Sequence, residues 1–511
     1  MGTTSSAGVA DSPSTRQSIF SASHLAAQSL FLNVISVPVT AYIVRNLGAS
    51  GFGQWATAAS LVNVASLLMN LGLRGTFVRS VAKDSRSARQ ALAEQLGIRL
   101  LLCLIGAFGA TGACIALNYP RVVIECAVIA SAGLFLTTFA TTLSDLLQGL
   151  HRISVYAAVG FIAGLALTGA SIVVTWLRFG PVGLSVAYLF GPLVSAVLLF
   201  AYVQRNLFPV QTRWSLGRSW RLLKDAKFFA IQNVTNTLSV NAELLLLPKL
   251  VGSHEYGYFS AGLLLISRLG IIPESLGSTF YPVIARASAK DPKLATSEVV
   301  RSLFFMLIVS LPVVVVVTFF SGPVAHVLFP KSPDACKRVI CITIWALPLL
   351  GMECVSGYAL NAAGREASHA RITLYAAAMN LVLAVVLVTQ FGIVGAAWSY
   401  LLRTAVKVTF TSVLFVETFS PPLSVVRFLR VLACGCAMAA AMWLGRHYLP
   451  VLGRWEAHLS GVKDWVSMFA ALSLEGALGM AAYAGSLWFL RVLRLEDLMQ
   501  FLRRKPQVET A

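Results

Sequence analysis

The chain has 511 residues, of which only 12% are charged and 57% are hydrophobic, and its formal net charge is +19. A soluble domain carries about 25% charged residues, so this composition excludes a water-soluble globular protein and points to one that resides in a bilayer. The positive charge does not indicate nucleic acid as a partner, because Lys and Arg are spread over connectors between apolar runs rather than gathered in one patch.

Residues 1–23 are rich in Ser and Thr and lack the apolar run of a signal peptide, so they read as a flexible cytoplasmic tail. Beyond them, runs of about 20 apolar residues, the length a helix needs to cross a bilayer, recur along the chain. Fourteen start near Leu25, Gly53, Leu96, Val122, Val155, Val182, Phe228, Gly257, Ser302, Val339, Ile372, Ile393, Val431 and Val466. Lys and Arg collect from Arg74 to Arg89, from Arg205 to Lys227 and from Arg491 to Lys505, which marks these segments as cytoplasmic and places both termini inside. The expected organisation is a first lobe at 24–204 with spans 1–6, a basic linker at 205–227, and a second lobe at 228–416 with spans 7–12. Spans 13 and 14 follow at 417–490, with a basic cytoplasmic tail at 491–511.

Gly51-Phe-Gly53-Gln-Trp-Ala56 has the form of a dinucleotide-binding glycine turn. That motif requires a preceding strand and an acidic residue about twenty positions later, whereas membrane spans flank it here and Arg74 stands nearby. The turn instead recurs: Gly48, Phe52, Gly53 and Trp55 align with Gly252, Tyr256, Gly257 and Phe259 at an offset of 204. It is a helix connector written twice.

The flanking spans repeat in their polar residues. Ser29, Asn33, Ser36 and Thr40 lie on one face of span 1, and Gln232, Asn236, Ser239 and Glu243 follow the same spacing in span 7. Asn63, Asn70 and Arg74 in span 2 correspond to Ser267, Glu274 and Ser278 in span 8. Phe179-Gly-Pro-Val-Gly183 recurs as Phe391-Gly-Ile-Val-Gly395, and Gln148-Gly-Leu-His-Arg152 resembles Asn361-Ala-Ala-Gly-Arg365. Two lobes of six spans each insert with the same orientation, so the pseudo-twofold axis runs along the membrane normal. The expected fold is all-α and polytopic, with two additional C-terminal helices and a substrate path between the lobes.

Ionisable groups inside spans cost at least about 2.5 kcal/mol and therefore face a partner or water. Glu243, Arg268 and Glu274 are the main examples, with Arg99, Glu353 and Glu475 as further ones. The eight cysteines fall mostly in or beside apolar runs, and Cys434-Gly-Cys436 has the wrong spacing for a redox or zinc pair, so no metal or other cofactor is expected.

The duplicated six-span lobes, the glycine turn after span 1, the Gln148 to Arg152 connector and the FGxVG turns opening spans 6 and 12 resemble the Wzx-type bacterial polysaccharide flippases. These belong to the multidrug, oligosaccharidyl-lipid and polysaccharide exporter superfamily. The resemblance covers about residues 24–416. Fourteen spans depart from the twelve common in that branch, which leaves open a relation to the lipid-linked peptidoglycan precursor flippases.

The resemblance implies an inner-membrane flippase, not an enzyme, that moves an undecaprenyl-pyrophosphate-linked oligosaccharide to the outer leaflet by alternating access. It also implies contact with membrane lipids, with a polysaccharide polymerase and with export machinery. Sugar hydroxyls need a hydrated, polar lining, for which Asn33, Asn63, Asn70, Asn233, Asn236, Ser267 and Glu274 are candidates. The pyrophosphate needs cations such as Arg74 or Arg268. Coupling to a proton or sodium gradient would fall to Glu243, Asn380 and Thr404. The alternatives are a multidrug exporter of the same superfamily and a membrane-embedded glycan polymerase or ligase. Residues 24–43 lack the span-1 carboxylate common among drug exporters. The longest charged outer segment, Arg446 to Asp464, has no catalytic spacing.

Overall fold

The computed structural model describes residues 15–70, 73–84, 87–150, 152–210, 217, 247–419, 425–448 and 462–490, and every regular element among them is a helix. The chain divides into two compact units, Met1–Pro248 and Lys249–Ala511. The first holds α1 (Thr15–Asn70), α2 (Leu73–Lys83), α3 (Ala88–Ala116), α4 (Arg121–Gly149), α5 (Ile153–Trp176) and α6 (Gly180–Asn206). The second holds α7 (Gly252–Leu269), α8 (Ile271–Lys290), α9 (Pro292–Leu328), α10 (Pro333–Thr343) and α11 (Ala346–Ala362). After these come α12 (Glu366–Phe419), α13 (Val425–Tyr448) and α14 (Val462–Phe489).

Nine helical stretches among the described residues are long and apolar enough to cross a bilayer. One of them, Ala367–Phe419, has 53 residues, more than twice the roughly 20 of a single crossing, and α1 has 56. Each is divided by a glycine: Gly48 at φ 68° and ψ 175° in α1, Gly392 at φ 58° and ψ −133° in α12. A side chain at either position would meet open space but would strain the backbone, which explains why the chain uses glycine there.

The repeat read from the sequence extends to backbone conformation. Gly252, the counterpart of Gly48, also has positive φ, at 82°, and Gly180, the counterpart of Gly392, has φ 69°. The ends of α4 and α11 match too. Arg152 donates its backbone N–H to the Leu147 carbonyl at 2.8 Å, and Arg365 donates to Leu360 at 2.9 Å, the bond that closes a helix C-terminus.

In the first unit α4 is the centre, packed by α1, α2, α3 and α6. Its Leu143, Leu146 and Leu147 join Phe77 and Val81 of α2, Leu92 and Leu96 of α3, and Leu199 and Val203 of α6 in one buried cluster. Burying each such side chain contributes about 1.5–3 kcal/mol. Gly149 has no room for a Cβ, which would lie 2.9 Å from the Val81 side chain, so α2 crosses close over the end of α4. That crossing brings the first turn of α2, with Arg74, to the last turns of α4.

The second unit has its own core of Phe280, Ile284, Val299, Met306, Val355, Ala359 and Phe415. The last two helices dock on α9: Met438, Met442, Tyr483 and Leu487 pack against Leu307, Leu311 and Val315. Polar contacts fix the register of that docking. The Tyr483 hydroxyl donates to the Ile308 carbonyl at 2.9 Å, and Arg446 Nη2 donates to the Phe319 carbonyl at 2.7 Å. Arg446 Nε also lies 2.7 Å from Glu475 Oε1, so the intramembrane carboxylate Glu475 belongs to a structural ion pair.

Candidate functional site

Asp145, one turn from the end of α4, sits between two arginines contributed by different helices. Its Oδ1 lies 3.1 Å from Arg74 Nε on α2, and its Oδ2 lies 2.9 Å from Arg99 Nη1 on α3. Arg99 Nη1 also donates to Thr142 Oγ1 at 3.1 Å, one turn before Asp145. Arg74 Nη2 reaches Gln148 Oε1 at 3.4 Å, one turn after it. Gln95 Nε2 donates to the Leu73 carbonyl at 3.0 Å and so holds the first turn of α2 against α3.

Burial divides the roles of the two cations. The Arg99 side chain is 1% exposed and that of Asp145 6%, whereas Arg74 is 61% exposed. Removing Arg99 and Asp145 from water costs several kcal/mol per ion, which their contact and hydrogen bonds offset. One carboxylate between two guanidinium groups leaves the cluster with one excess positive charge, displayed on the exposed Arg74. An exposed guanidinium, held from behind and presenting donors outward, suits phosphate or another oxyanion.

Sequence reasoning placed Arg74 among the anion-binding candidates and noted Arg99 inside a span, but passed over Asp145. The signal was present: Thr138, Thr142 and Asp145 follow i, i+4, i+7 on one face of α4, the pattern used to find the stripes of spans 1 and 7.

The other candidates of the first unit are more dispersed. Asn63 is exposed on the second arm of α1, and its carbonyl accepts from Ser66 at 2.6 Å. Asn33 and Asn70 lie on the first and second arms of α1. Asn233, Asn236 and Glu243 fall outside the described residues.

In the second unit Ser267 is exposed near the end of α7, Arg268 beside it is half-buried, and Glu274 is exposed in the first turn of α8. The helical hydrogen bonds reach Gly270 from both sides, Gly270 N–H to Ile266 at 3.1 Å and Glu274 N–H to Gly270 at 3.3 Å, so Arg268 and Glu274 project from successive turns around one junction. Asn380 is fully buried and accepts from Ser399 at 3.4 Å, joining the two arms of α12. Thr404 is buried and donates to the Tyr400 carbonyl one turn earlier at 2.9 Å. Glu353 of α11 is paired with Lys407 on the second arm of α12.

The charged groups do not follow the repeat. At the offset that aligns the first glycine turn Arg99 corresponds to Leu303, and at the offset that aligns the Gln148–Arg152 connector with Asn361–Arg365 Asp145 corresponds to Tyr358. The Arg74–Asp145–Arg99 cluster is thus particular to the first unit.

A family model described as a polysaccharide biosynthesis protein matches residues 42–338. Over 390 residues the chain is 23% identical to a putative O-antigen transporter of Shigella flexneri, an alignment covering 72% of this chain and 91% of that protein. Over 378 residues it is 19% identical to a probable low-salt glycan biosynthesis flippase of Haloferax volcanii, covering 72% and 76% respectively. Among solved structures it resembles the lipid II flippase MurJ in an inward closed conformation, with a TM-score of 0.70 at 12% identity, over 93% of this chain and 99% of that one. It also resembles an inward-facing multidrug resistance transporter of the MATE family, with a TM-score of 0.61 at 18% identity, over 77% and 99%. The chain therefore shares the fold of these two solved structures.

Proposed function

The chain belongs to the polysaccharide biosynthesis protein family, and from that premise we propose that it is a flippase for a lipid-linked oligosaccharide. The substrate is an undecaprenyl-pyrophosphate-linked repeat unit, carried from the cytoplasmic to the outer leaflet of the inner membrane by alternating access. Both termini are cytoplasmic in this reading, and the flipped unit passes to a polysaccharide polymerase and export machinery. The names of the two relatives, an O-antigen transporter and a glycan biosynthesis flippase, support the reading.

The observation that carries it is the Arg74–Asp145–Arg99 cluster. A buried pair of opposite charges with a second, exposed arginine on the same carboxylate has little use in packing alone, because buried ion pairs contribute little to stability over apolar isosteres. It does provide a fixed cation at the end of a helix that, by the distribution of Lys and Arg, faces the cytoplasm in this reading, where the diphosphate is first presented. Arg74 contacts the diphosphate in this reading, and Asn63 and Asn70 are suited to sugar hydroxyls. Cation coupling involves Asn380 and Thr404 together with Glu243.

The test is made in a deletion strain, where the amount and sidedness of lipid-linked oligosaccharide are measured together with exported polysaccharide. Accumulation on the cytoplasmic face with loss of polymer is the expected result. Undiminished export without accumulation, once redundancy is excluded, refutes the reading and favours drug export.

A further inference from the structure

Asp145 divides its two oxygens between two arginines, and the buried one has donors to spare. Arg99 is 1% exposed and uses only Nη1, while its Nε and Nη2 have no hydrogen-bond partner among the described residues. Guanidinium groups prefer to hold a carboxylate with two nitrogens, and a buried donor without an acceptor is unfavourable. Arg74 holds the other oxygen through a single nitrogen at 3.1 Å and is open to water. Arg99 therefore holds two buried donors in reserve beside the carboxylate it already contacts.

We propose that Asp145 is the specificity-determining residue of the site, a competing anion that must be displaced from Arg74 before a phosphate can bind. This rests on the flippase reading and assigns the selection of diphosphate over the phosphodiester headgroups that surround the protein in the bilayer. A phosphodiester bears one negative charge, like the carboxylate it would replace, and gains little by the exchange. A diphosphate bears more charge and more acceptor oxygens and displaces Asp145 onto Arg99, whose unpartnered donors receive it. Discrimination arises because the wrong ligand meets an occupied cation. When the diphosphate leaves, Asp145 returns to Arg74, which favours release. Asp145 acts through Arg74 and is a positioning residue; Arg99 is its alternate seat.

The experiment uses the full-length protein in nanodiscs with two probes, a short-chain polyprenyl diphosphate and a short-chain phosphatidylglycerol, and measures the ratio of their dissociation constants. Wild-type protein is expected to prefer the diphosphate. Asp145→Asn, which leaves Arg74 unopposed, should bind phosphatidylglycerol about tenfold more tightly and narrow the ratio. Arg99→Gln, which leaves Asp145 wholly to Arg74, should bind the diphosphate about tenfold more weakly. A merely structural role would move both variants in the same direction, and that outcome overturns the proposal. If Asp145→Asn does not fold with an unbalanced Arg99, the charge-neutral pair Asp145→Asn with Arg99→Gln should still show the narrowed ratio; a ratio like that of wild type overturns the proposal. Wild-type protein that binds no diphosphate overturns the flippase reading as well. Wild-type binding with ratios unmoved by the substitutions, alongside arrested export in the deletion strain, overturns only the assignment of Asp145.

Discussion

Asp145 and Arg99 meet at 2.9 Å across 46 positions of sequence, both side chains almost fully buried, and the same carboxylate reaches Arg74 at 3.1 Å. The pair builds a fixed charge arrangement that faces α2 into the helix contact between α3 and α4. It also separates the cation that can be lost without harm to the fold from the one that cannot.

Arg74 is the expendable one for folding. Exposed ion pairs contribute about 0–1 kcal/mol, so Arg74→Ala should leave abundance and thermal stability near wild type while strongly reducing polysaccharide export. Quantifying membrane-inserted protein beside exported polymer checks both halves; full export at normal abundance would remove Arg74 from the path.

The docking of the last two helices depends on Arg446. Arg446→Ala leaves Glu475, 1% exposed, without its counter-charge, a loss of about 3–5 kcal/mol for a buried pair. Thermal unfolding in detergent should show a clear decrease in midpoint, and the exchanged pair Arg446→Glu with Glu475→Arg should recover part of it. A midpoint unchanged by Arg446→Ala would show that apolar packing on α9 suffices.

Gly48 provides a backbone test free of steric effects. Its φ of 68° with ψ of 175° is a region that residues other than glycine rarely occupy, while a Cβ there would meet nothing within 4 Å. Gly48→Ala should therefore cost about 1–3 kcal/mol by strain alone. Gly112→Ala, also in open space but within the regular helix α3, should be neutral or stabilising. Equal effects from the two substitutions would contradict the conformational argument.

Coupling is tested at Glu243. If its carboxylate binds the driving cation, Glu243→Gln should abolish the dependence of transport on a proton or sodium gradient in reconstituted vesicles. A gradient response like that of wild type would assign coupling elsewhere.

Orientation is tested by single-cysteine labelling in a background with all eight native cysteines replaced. An impermeant thiol reagent added from outside should modify positions in 447–463 and leave 205–227 unmodified. The opposite pattern would reverse the topology.

The sequence alone determined the membrane class, the all-helical fold and the internal repeat, because bilayer crossing demands long apolar runs and backbone reversals demand glycine, and both are properties of short local segments. The matched positive φ at Gly48 and Gly252, and at Gly180 and Gly392, shows how far that local signal reaches. It also made Arg74 a candidate, since a basic residue at the end of a polar stripe is visible in one dimension. What it did not determine is partnership. Periodicity tells which face of a helix a side chain occupies, but not which distant helix packs there. Only the close crossing of α2 over Gly149 sets Arg74 beside Asp145, and only the docking of α13 and α14 on α9 sets Arg446 beside Glu475. Whether a charge within the membrane is a structural pair or an open binding group depends on which helix lies opposite it, and the tertiary packing alone decides that.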